Sequence, residues 1–250
     1  MSIASNLERI KNEIADACAR AHRDPGSVTL MAVSKMHPAE SVREAYEAGQ
    51  HLFGENRVQE WQSKRAELTD LFPFSGTSSD TTQSPSPSAQ DVHLIGPLQN
   101  NKTSKAAEIF NAIDTLDNLK TAERLNAAAL ALNKTLRILI EVKLSPEDTK
   151  HGLAPDDLHT LLRALQPLTH LQPRGLMTVP PFDLNPETAR PTFQHLRRLR
   201  DDHLTLCPTL TELSMGMSND FAVAIEEGST CVRIGTAIFG KRTYPTPEAS

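Results

Sequence analysis

Residues 212–234 read ELSMGMSNDFAVAIEEGSTCVRI and predict two strands joined by a helix. Short apolar runs lie at both ends, at residues 212–215 and 231–234, and residues 220–227 between them have helical character. Two strands joined by a crossover helix run parallel, because the helix returns the chain to the edge of the sheet at which the first strand began. The stretch therefore predicts an α/β protein with a parallel sheet covered by helices.

The same alternation extends over the rest of the chain. Further strand candidates lie at residues 28–34, 51–54, 92–96, 112–115, 137–142 and 174–177. Further helix candidates lie between them, at residues 40–48, 58–68, 101–109, 119–132, 155–165 and 186–204. Eight strands that alternate with helices favour a closed (β/α)8 TIM barrel over an open sheet. Barrels of this kind commonly form one domain, so we expect residues 1–250 to fold as a single domain.

Two segments lie outside this repeat. Ile3, Leu7, Ile10 and Ile14 recur at helical spacing and predict an extra amphipathic helix before the first strand. Residues 75–90, SGTSSDTTQSPSPSAQ, contain no aliphatic residue larger than Ala, so they cannot bury enough apolar surface to offset the entropy of ordering. We expect a disordered insertion within the domain, with a phosphorylated or partner-binding loop as the alternative.

The composition excludes several classes of protein. With 26 Lys and Arg against 31 Asp and Glu, the formal net charge is −5 at pH 7, so we expect no nucleic-acid-binding surface. No apolar run approaches the ~20 residues of a membrane span, and charges interrupt the amino-terminal segment, so we expect a cytoplasmic protein that does not bind membranes. The three cysteines and nine histidines lack metal-ligand spacing, so we expect no metal and interpret the histidines as surface or packing residues.

Lys35 follows the apolar run of the first strand, at the carboxyl end where a (β/α)8 barrel places its active site. Desolvation at the barrel mouth lowers the pKa of a lysine amine and frees it to form a Schiff base with an aldehyde. The alternative is a strand-end lysine that reaches solvent, because most lysines are exposed. Other residues at the mouth of the barrel decide between a Schiff-base lysine and an exposed one.

Residues suited to a phosphate follow the last two strands. Gly235 and Thr236 follow the eighth strand, and Ser214 or Ser218 lies at the end of the seventh, so their N–H groups and hydroxyls predict an anion cradle. Loops after strands seven and eight are the recurrent phosphate site of this architecture. An aldehyde-reactive lysine that faces a phosphate cradle fits pyridoxal 5′-phosphate (PLP), which carries both groups.

Arg233 lies beside this cradle, and its position allows two interpretations. It is a structural ion-pair partner, or its guanidinium faces the pyridine nitrogen of PLP. In the second case its permanent positive charge keeps that nitrogen unprotonated. An unprotonated ring is a poor electron sink, so the site would hold PLP without supporting strong carbanion chemistry.

Six motifs resemble those of the pyridoxal-phosphate homeostasis proteins. They are AVSK at residues 32–35, FGEN at 53–56, HLIGPLQNNK at 93–102, GLMT at 175–178, LSMGMS at 213–218 and GSTCVRIGTAIFG at 228–240. The resemblance covers nearly the whole chain outside residues 75–90. It implies an alanine-racemase-like barrel that binds PLP covalently, has no established catalytic reaction and acts in vitamin B6 homeostasis.

The resemblance also implies roles for individual residues. The family's cofactor-binding positions fall on Lys35, Asn56, Ser214, Arg233, Gly235 and Thr236. Lys35 resembles the Schiff-base lysine, Asn56 the residue beside the cofactor ring, and Arg233 the arginine at the pyridine nitrogen. The other three resemble the phosphate-binding residues, and no residue has a catalytic role. We therefore expect a PLP carrier or buffer, with apo PLP-dependent enzymes as further partners, and we expect a monomer.

Two other functions remain open. A PLP-dependent racemase or related weak PLP enzyme needs a second base, which alanine racemase takes as a tyrosine from a second domain. The tyrosines of this chain are Tyr46, in a predicted helix, and Tyr244, in the last ten residues, so we rank the racemase second. An adaptor whose surface matters more than any ligand is the other class. Lys150 is a solvated loop lysine or a second PLP site.

Overall fold

The computed structural model of the protein describes residues 2–72, 91–145 and 151–240. Within these residues, eight parallel strands form a closed barrel in sequential order. Each strand pairs with the next along the chain, and the last closes the barrel by pairing with the first. The strands are β1 Thr29–Val33, β2 Leu52–Glu55, β3 Asp91–Leu94, β4 Ala112–Leu116, β5 Leu136–Glu141, β6 Leu171–Met177, β7 Glu212–Ser214 and β8 Cys231–Ile234. The predicted (β/α)8 barrel is confirmed.

In the same residues, seven helices connect consecutive strands, one precedes the barrel and a short one follows it. The helices are α1 Ile3–Arg20, α2 Ala39–Glu47, α3 Val58–Glu67, α4 Thr103–Ile109, α5 Leu119–Ala131, α6 Leu158–Leu165, α7 Arg190–His203, α8 Phe221–Glu226 and α9 Thr236–Phe239. The helix predicted at residues 186–204 begins as a 3-10 helix, Pro186–Ala189, and continues as α7.

The extra amino-terminal helix, α1, is also confirmed, and it is a packing element. The hydroxyl of Ser2 accepts a hydrogen bond from the Ser5 N–H at 3.2 Å and caps the first turn. Leu7, Ile10 and Ile14 are buried on the face of α1 that packs against α8 and α9. Burial of each such aliphatic side chain contributes roughly 1.5–3 kcal/mol to the free energy of folding, so this face fixes α1 to the outside of the barrel.

Strand β4 is fully buried although it contains two polar residues. The Thr115 hydroxyl donates a hydrogen bond to the Gly96 carbonyl at 2.9 Å, and Asp114 contacts His93 on the neighbouring strand. Because these partners lie on β3 or just after it, the polar groups become acceptable only when the two strands pair. The pairing of β3 with β4 therefore satisfies polar groups that interrupt the apolar pattern of β4.

A charged cluster occupies the amino-terminal end of the barrel interior. The Nδ1 atom of His93 lies 3.0 Å from Asp114 Oδ1, its Nε2 atom lies 3.3 Å from Asp91 Oδ1, and Arg137 pairs with the other oxygen of Asp91. Burial lowers the pKa of His93, but the carboxylates of Asp114 and Asp91 outweigh that effect and raise it to about 10. His93 is therefore one of the packing histidines, a buried ring in contact with two carboxyl groups.

Three sequence features fall outside the described residues: the predicted insertion at residues 75–90, Lys150 and Tyr244. In the part of the chain that the structure describes, no helix is long and apolar enough to cross a membrane. The same residues contain no group of three or more His, Cys, Asp or Glu side chains arranged to hold a metal ion.

Candidate functional site

A cavity of about 570 Å³ opens at the carboxyl ends of the strands. Five of the six residues singled out in the sequence line it: Lys35, Asn56, Arg233, Gly235 and Thr236. They come from the ends of β1, β2 and β8, which meet at this end of the barrel because the strands are parallel. Other residues of the wall include His37, Glu141, Lys143, His151, Ser218 and Asp220.

Lys35 stands on a turn that begins directly after β1. It is half-buried and follows Ser34, which is fully buried. The N–H of His37 donates to the Ser34 carbonyl at 3.1 Å and closes the turn, and Met36 adopts a left-handed conformation with φ 63°. A side chain larger than glycine adopts this conformation at a cost, so contacts with the surroundings must hold the turn in place.

Those contacts come from helix α3, whose contribution no motif in the sequence indicates. The buried ammonium of Lys64 donates hydrogen bonds to the Ser34 carbonyl at 2.8 Å and to the carboxylates of Glu55 and Glu60, both at 2.7 Å. Glu60 also accepts from the Met36 N–H. Glu60 and Lys64 lie four residues apart, and such pairs usually form exposed salt bridges on a helix, so the sequence signal is weak.

Asn56 follows β2, and one polar atom of its side chain makes no hydrogen bond to another described residue. In the part of the chain that the structure describes, its buried Oδ1 atom has no hydrogen-bond partner. Its backbone lies close to Gly96, where an added Cβ would come within 2.3 Å of the Asn56 carbonyl oxygen. Glycine at position 96 therefore allows β2 and the end of β3 to approach each other at the cavity wall.

Arg233 is buried and held in a fixed position. Its Nη1 atom donates to the Ser214 hydroxyl at 2.7 Å, and its Nη2 atom donates to the Thr178 carbonyl at 2.8 Å. Burial lowers the pKa of Arg233, but an arginine in a protein keeps its charge. Ser214 is fully buried and does not reach the cavity wall, so in this structure its hydroxyl orients the guanidinium.

Two carboxyl groups lie on the same wall as Arg233. Burial raises the pKa of Glu141, against an opposing effect from Arg233. Burial also raises the pKa of Asp220, whose Oδ1 atom accepts a hydrogen bond from the Met217 N–H at 2.6 Å. The cavity therefore combines one fixed cation with two acids that ionise less readily than usual.

Gly235 follows β8, Thr236 begins the short helix α9, and both line the cavity. The N–H groups of Ile238 and Phe239 donate to the Gly235 carbonyl at 2.9 and 3.0 Å, which turns the chain directly after the strand. Ser218, the alternative to Ser214 at the end of the seventh strand, lies on the wall after β7. Hydroxyl and backbone groups of the residues that follow β7 and β8 thus line the same cavity as Lys35.

Comparisons with known proteins agree with this architecture. The family model for the alanine racemase N-terminal domain matches residues 5–243. A pyridoxal phosphate homeostasis protein of Pseudomonas aeruginosa is 43% identical over 250 residues, which is 99% of each chain. The corresponding protein of Escherichia coli is 39% identical over 246 residues, or 97% of each chain.

Solved structures show the same relationship. PipY of Synechococcus elongatus, determined with PLP bound, superposes with a TM-score of 0.79 and 40% sequence identity, covering 96% of this chain and 100% of that chain. An alanine racemase of Clostridium difficile has a TM-score of 0.69 at 13% identity, covering 99% of this chain and 61% of that chain, so it shows the fold alone. These comparisons confirm the resemblance found in the motifs, and the chain belongs to the pyridoxal phosphate homeostasis protein family.

Proposed function

We propose that the protein binds PLP in the cavity at the carboxyl ends of its strands and acts in vitamin B6 homeostasis as a carrier or buffer. The observation that carries this proposal is the presence of Lys35, Arg233 and the Gly235–Thr236 turn on the wall of one cavity. These are the groups that an aldehyde, a pyridine nitrogen and a phosphate require. PipY, a relative with 40% sequence identity, has been solved with PLP bound, which supports the same ligand here.

The residues of the cavity fit this cofactor. PLP supplies an aldehyde that condenses with an amine and a ring that withdraws electrons when its nitrogen is protonated. Lys35 provides the amine, and Gly235 and Thr236 border the place for the phosphate. The unpaired Oδ1 atom of Asn56 needs a partner, because a buried polar atom without one costs roughly 1–3 kcal/mol. A polar group at the edge of a bound ring would supply that partner.

Arg233 favours retention of the cofactor over catalysis. Its two hydrogen bonds, to Ser214 and Thr178, prevent the guanidinium from turning away from the cavity. A fixed permanent cation disfavours a second positive charge on a nearby pyridine nitrogen. We therefore propose that the protein lacks strong PLP-dependent catalysis, in line with the homeostasis name of its relatives.

The racemase alternative finds less support in the position of the tyrosines. Tyr46 lies on α2, away from the cavity wall. Its ring packs against those of His51 and Phe72, with distances between ring centroids of 5.1 and 6.4 Å. Tyr244 lies outside the described residues. Delivery of PLP to apo-enzymes, a monomeric state and a cytoplasmic location remain predictions.

A spectroscopic titration tests the proposed function. Adding PLP to the purified protein should produce a visible absorption band, because an imine between PLP and a lysine is coloured. Lys35→Ala should abolish the band, whereas Lys143→Ala, which removes another lysine from the same cavity wall, should retain it. A wild-type protein that gains no band, or an undiminished band in Lys35→Ala, would contradict the proposal.

A further inference from the structure

We propose that Lys64 is a positioning residue, whose ammonium group ties the ends of β1 and β2 together and sets the places of Lys35 and Asn56 in the cavity. The inference deepens the proposed function and rests on it for its meaning. Lys64 lies on the second turn of α3 and does not line the cavity itself. Its influence on the cofactor site must therefore pass through other residues.

The hydrogen bonds of Lys64 go to the residues that precede the two cofactor positions. A lysine ammonium has three N–H donors, and here they reach the Ser34 carbonyl, Glu55 Oε1 and Glu60 Oε1. Ser34 directly precedes Lys35, and Glu55 directly precedes Asn56. One buried cation thus fixes the carboxyl ends of two neighbouring strands relative to each other.

The cluster formed by Lys64, Glu55 and Glu60 also holds the residue on the other side of Lys35. The Glu60 carboxylate, paired with Lys64, accepts a hydrogen bond from the Met36 N–H. Ser34 is held a second time, because its hydroxyl donates to Glu55 Oε1 at 2.8 Å. The backbone on both sides of Lys35 is therefore bound to one cluster, and this explains how Met36 keeps its left-handed conformation.

The charges of the cluster make it sensitive to loss of the ammonium. Lys64 and Glu55 are both buried, and Glu60 is half-buried, so one cation balances two carboxylates with little solvent. Burial raises the pKa of Glu55, and Lys64 opposes that rise. Without Lys64 the carboxylates repel each other or take up protons, and the Ser34 carbonyl loses a donor. The turn that carries Lys35 then keeps only the hydrogen bond from the Met36 N–H to Glu60 on α3, and Glu60 has lost the cation that holds it.

Three variants separate positioning from stability. Lys64→Met removes the ammonium and keeps most of the side-chain volume, and Lys64→Arg restores a cation. Lys134→Met is the matched control, because Lys134 is also partly buried and donates to a carbonyl, that of Phe110 at 3.2 Å, between α5 and β5 at the opposite end of the barrel.

The first readout uses protein without cofactor. The apo-protein is treated with acetic anhydride over a range of pH, and mass spectrometry of peptides gives the reactivity of Lys35 at each pH. We expect Lys64→Met to shift the pH profile of Lys35, Lys64→Arg to restore most of it, and Lys134→Met to leave it at the wild-type position. The second readout is the PLP concentration that half-saturates the visible band, which should rise about tenfold or more in Lys64→Met, because small displacements of a reacting group have large effects.

Thermal unfolding of each variant shows whether it is folded. If Lys64→Met does not fold, Glu60→Gln replaces it, because that change weakens the hold on Met36 while Lys64 keeps Glu55. A folded variant with the wild-type Lys35 profile and wild-type PLP affinity would overturn the proposal, and so would an equal effect in Lys134→Met. If the wild-type protein bound no PLP, the proposed function would fail, but the labelling profile would still report on the position of Lys35.

Discussion

The buried pair of His93 and Asp114 allows a quantitative prediction about stability. Asp114→Asn removes a carboxylate that lies 3.0 Å from His93 Nδ1 in the barrel interior. The pKa of His93 is raised from 6.5 to about 10, which corresponds to about 5 kcal/mol in favour of the protonated ring. Asp91 shares this effect, so the loss of Asp114 should lower the free energy of unfolding by about 2–4 kcal/mol, close to the usual cost of breaking a buried ion pair.

The raised pKa of His93 also determines how the stability of the fold changes with pH. A histidine whose pKa is higher in the folded than in the unfolded protein stabilises the fold fully below pH 6.5, and this stability is lost as the pH rises towards 10. The difference in stability between the wild type and Asp114→Asn should therefore be largest near pH 6.5 and should shrink as the pH approaches 10. Cys231 does not interfere, because burial raises the pKa of its thiol to about 12.

Urea unfolding at a series of pH values, followed by circular dichroism, measures this difference. Asp156→Asn is the control, because Asp156 is exposed in the 3-10 helix before α6 and its loss should change stability by less than about 0.5 kcal/mol. An Asp114→Asn variant as stable as the wild type would show that the contact between Asp114 and His93 does not stabilise the fold. A difference in stability that stays constant across the pH range would refute the assignment of His93 as the titrating group.

Two further predictions concern other buried groups. Ser214→Ala leaves Arg233 Nη1 without its acceptor, so the free energy of unfolding should fall by roughly 1–3 kcal/mol and the PLP concentration that half-saturates the visible band should rise. Urea unfolding and the spectroscopic titration check this, and unchanged values in both would contradict the role given to Ser214. A thiol reagent should modify only Cys207 in the folded protein, because Cys18 and Cys231 are buried and burial raises the pKa of both thiols. Mass spectrometry identifies the modified cysteine, and rapid modification of Cys18 or Cys231 would argue against the packing described.

The sequence predicts the barrel well because its strands are buried on both sides. Such strands are short apolar runs, and the helices between them repeat at a regular distance. The parallel arrangement then brings the residues after β1, β2 and β8 to one end, and the structure confirms that Lys35, Asn56 and Arg233 share one cavity there. Their roles towards PLP remain predictions.

The buried charges are the part that sequence patterns miss. Lys64 and Glu60 have the spacing of an exposed pair on a helix, and only the packing of α3 against the ends of β1 and β2 buries the ammonium. Asp114 interrupts an apolar strand, and its partner His93 lies 21 residues away on the neighbouring strand. Such contacts depend on which elements become neighbours, so no local pattern indicates them.

The proposed function requires that Lys35 hold PLP covalently in this cavity. The most direct measurement is reduction of the PLP-loaded protein with borohydride, followed by peptide mapping of the modified residue. We expect the pyridoxyl group on Lys35. A label on Lys143, on any other lysine, or on no lysine would contradict it.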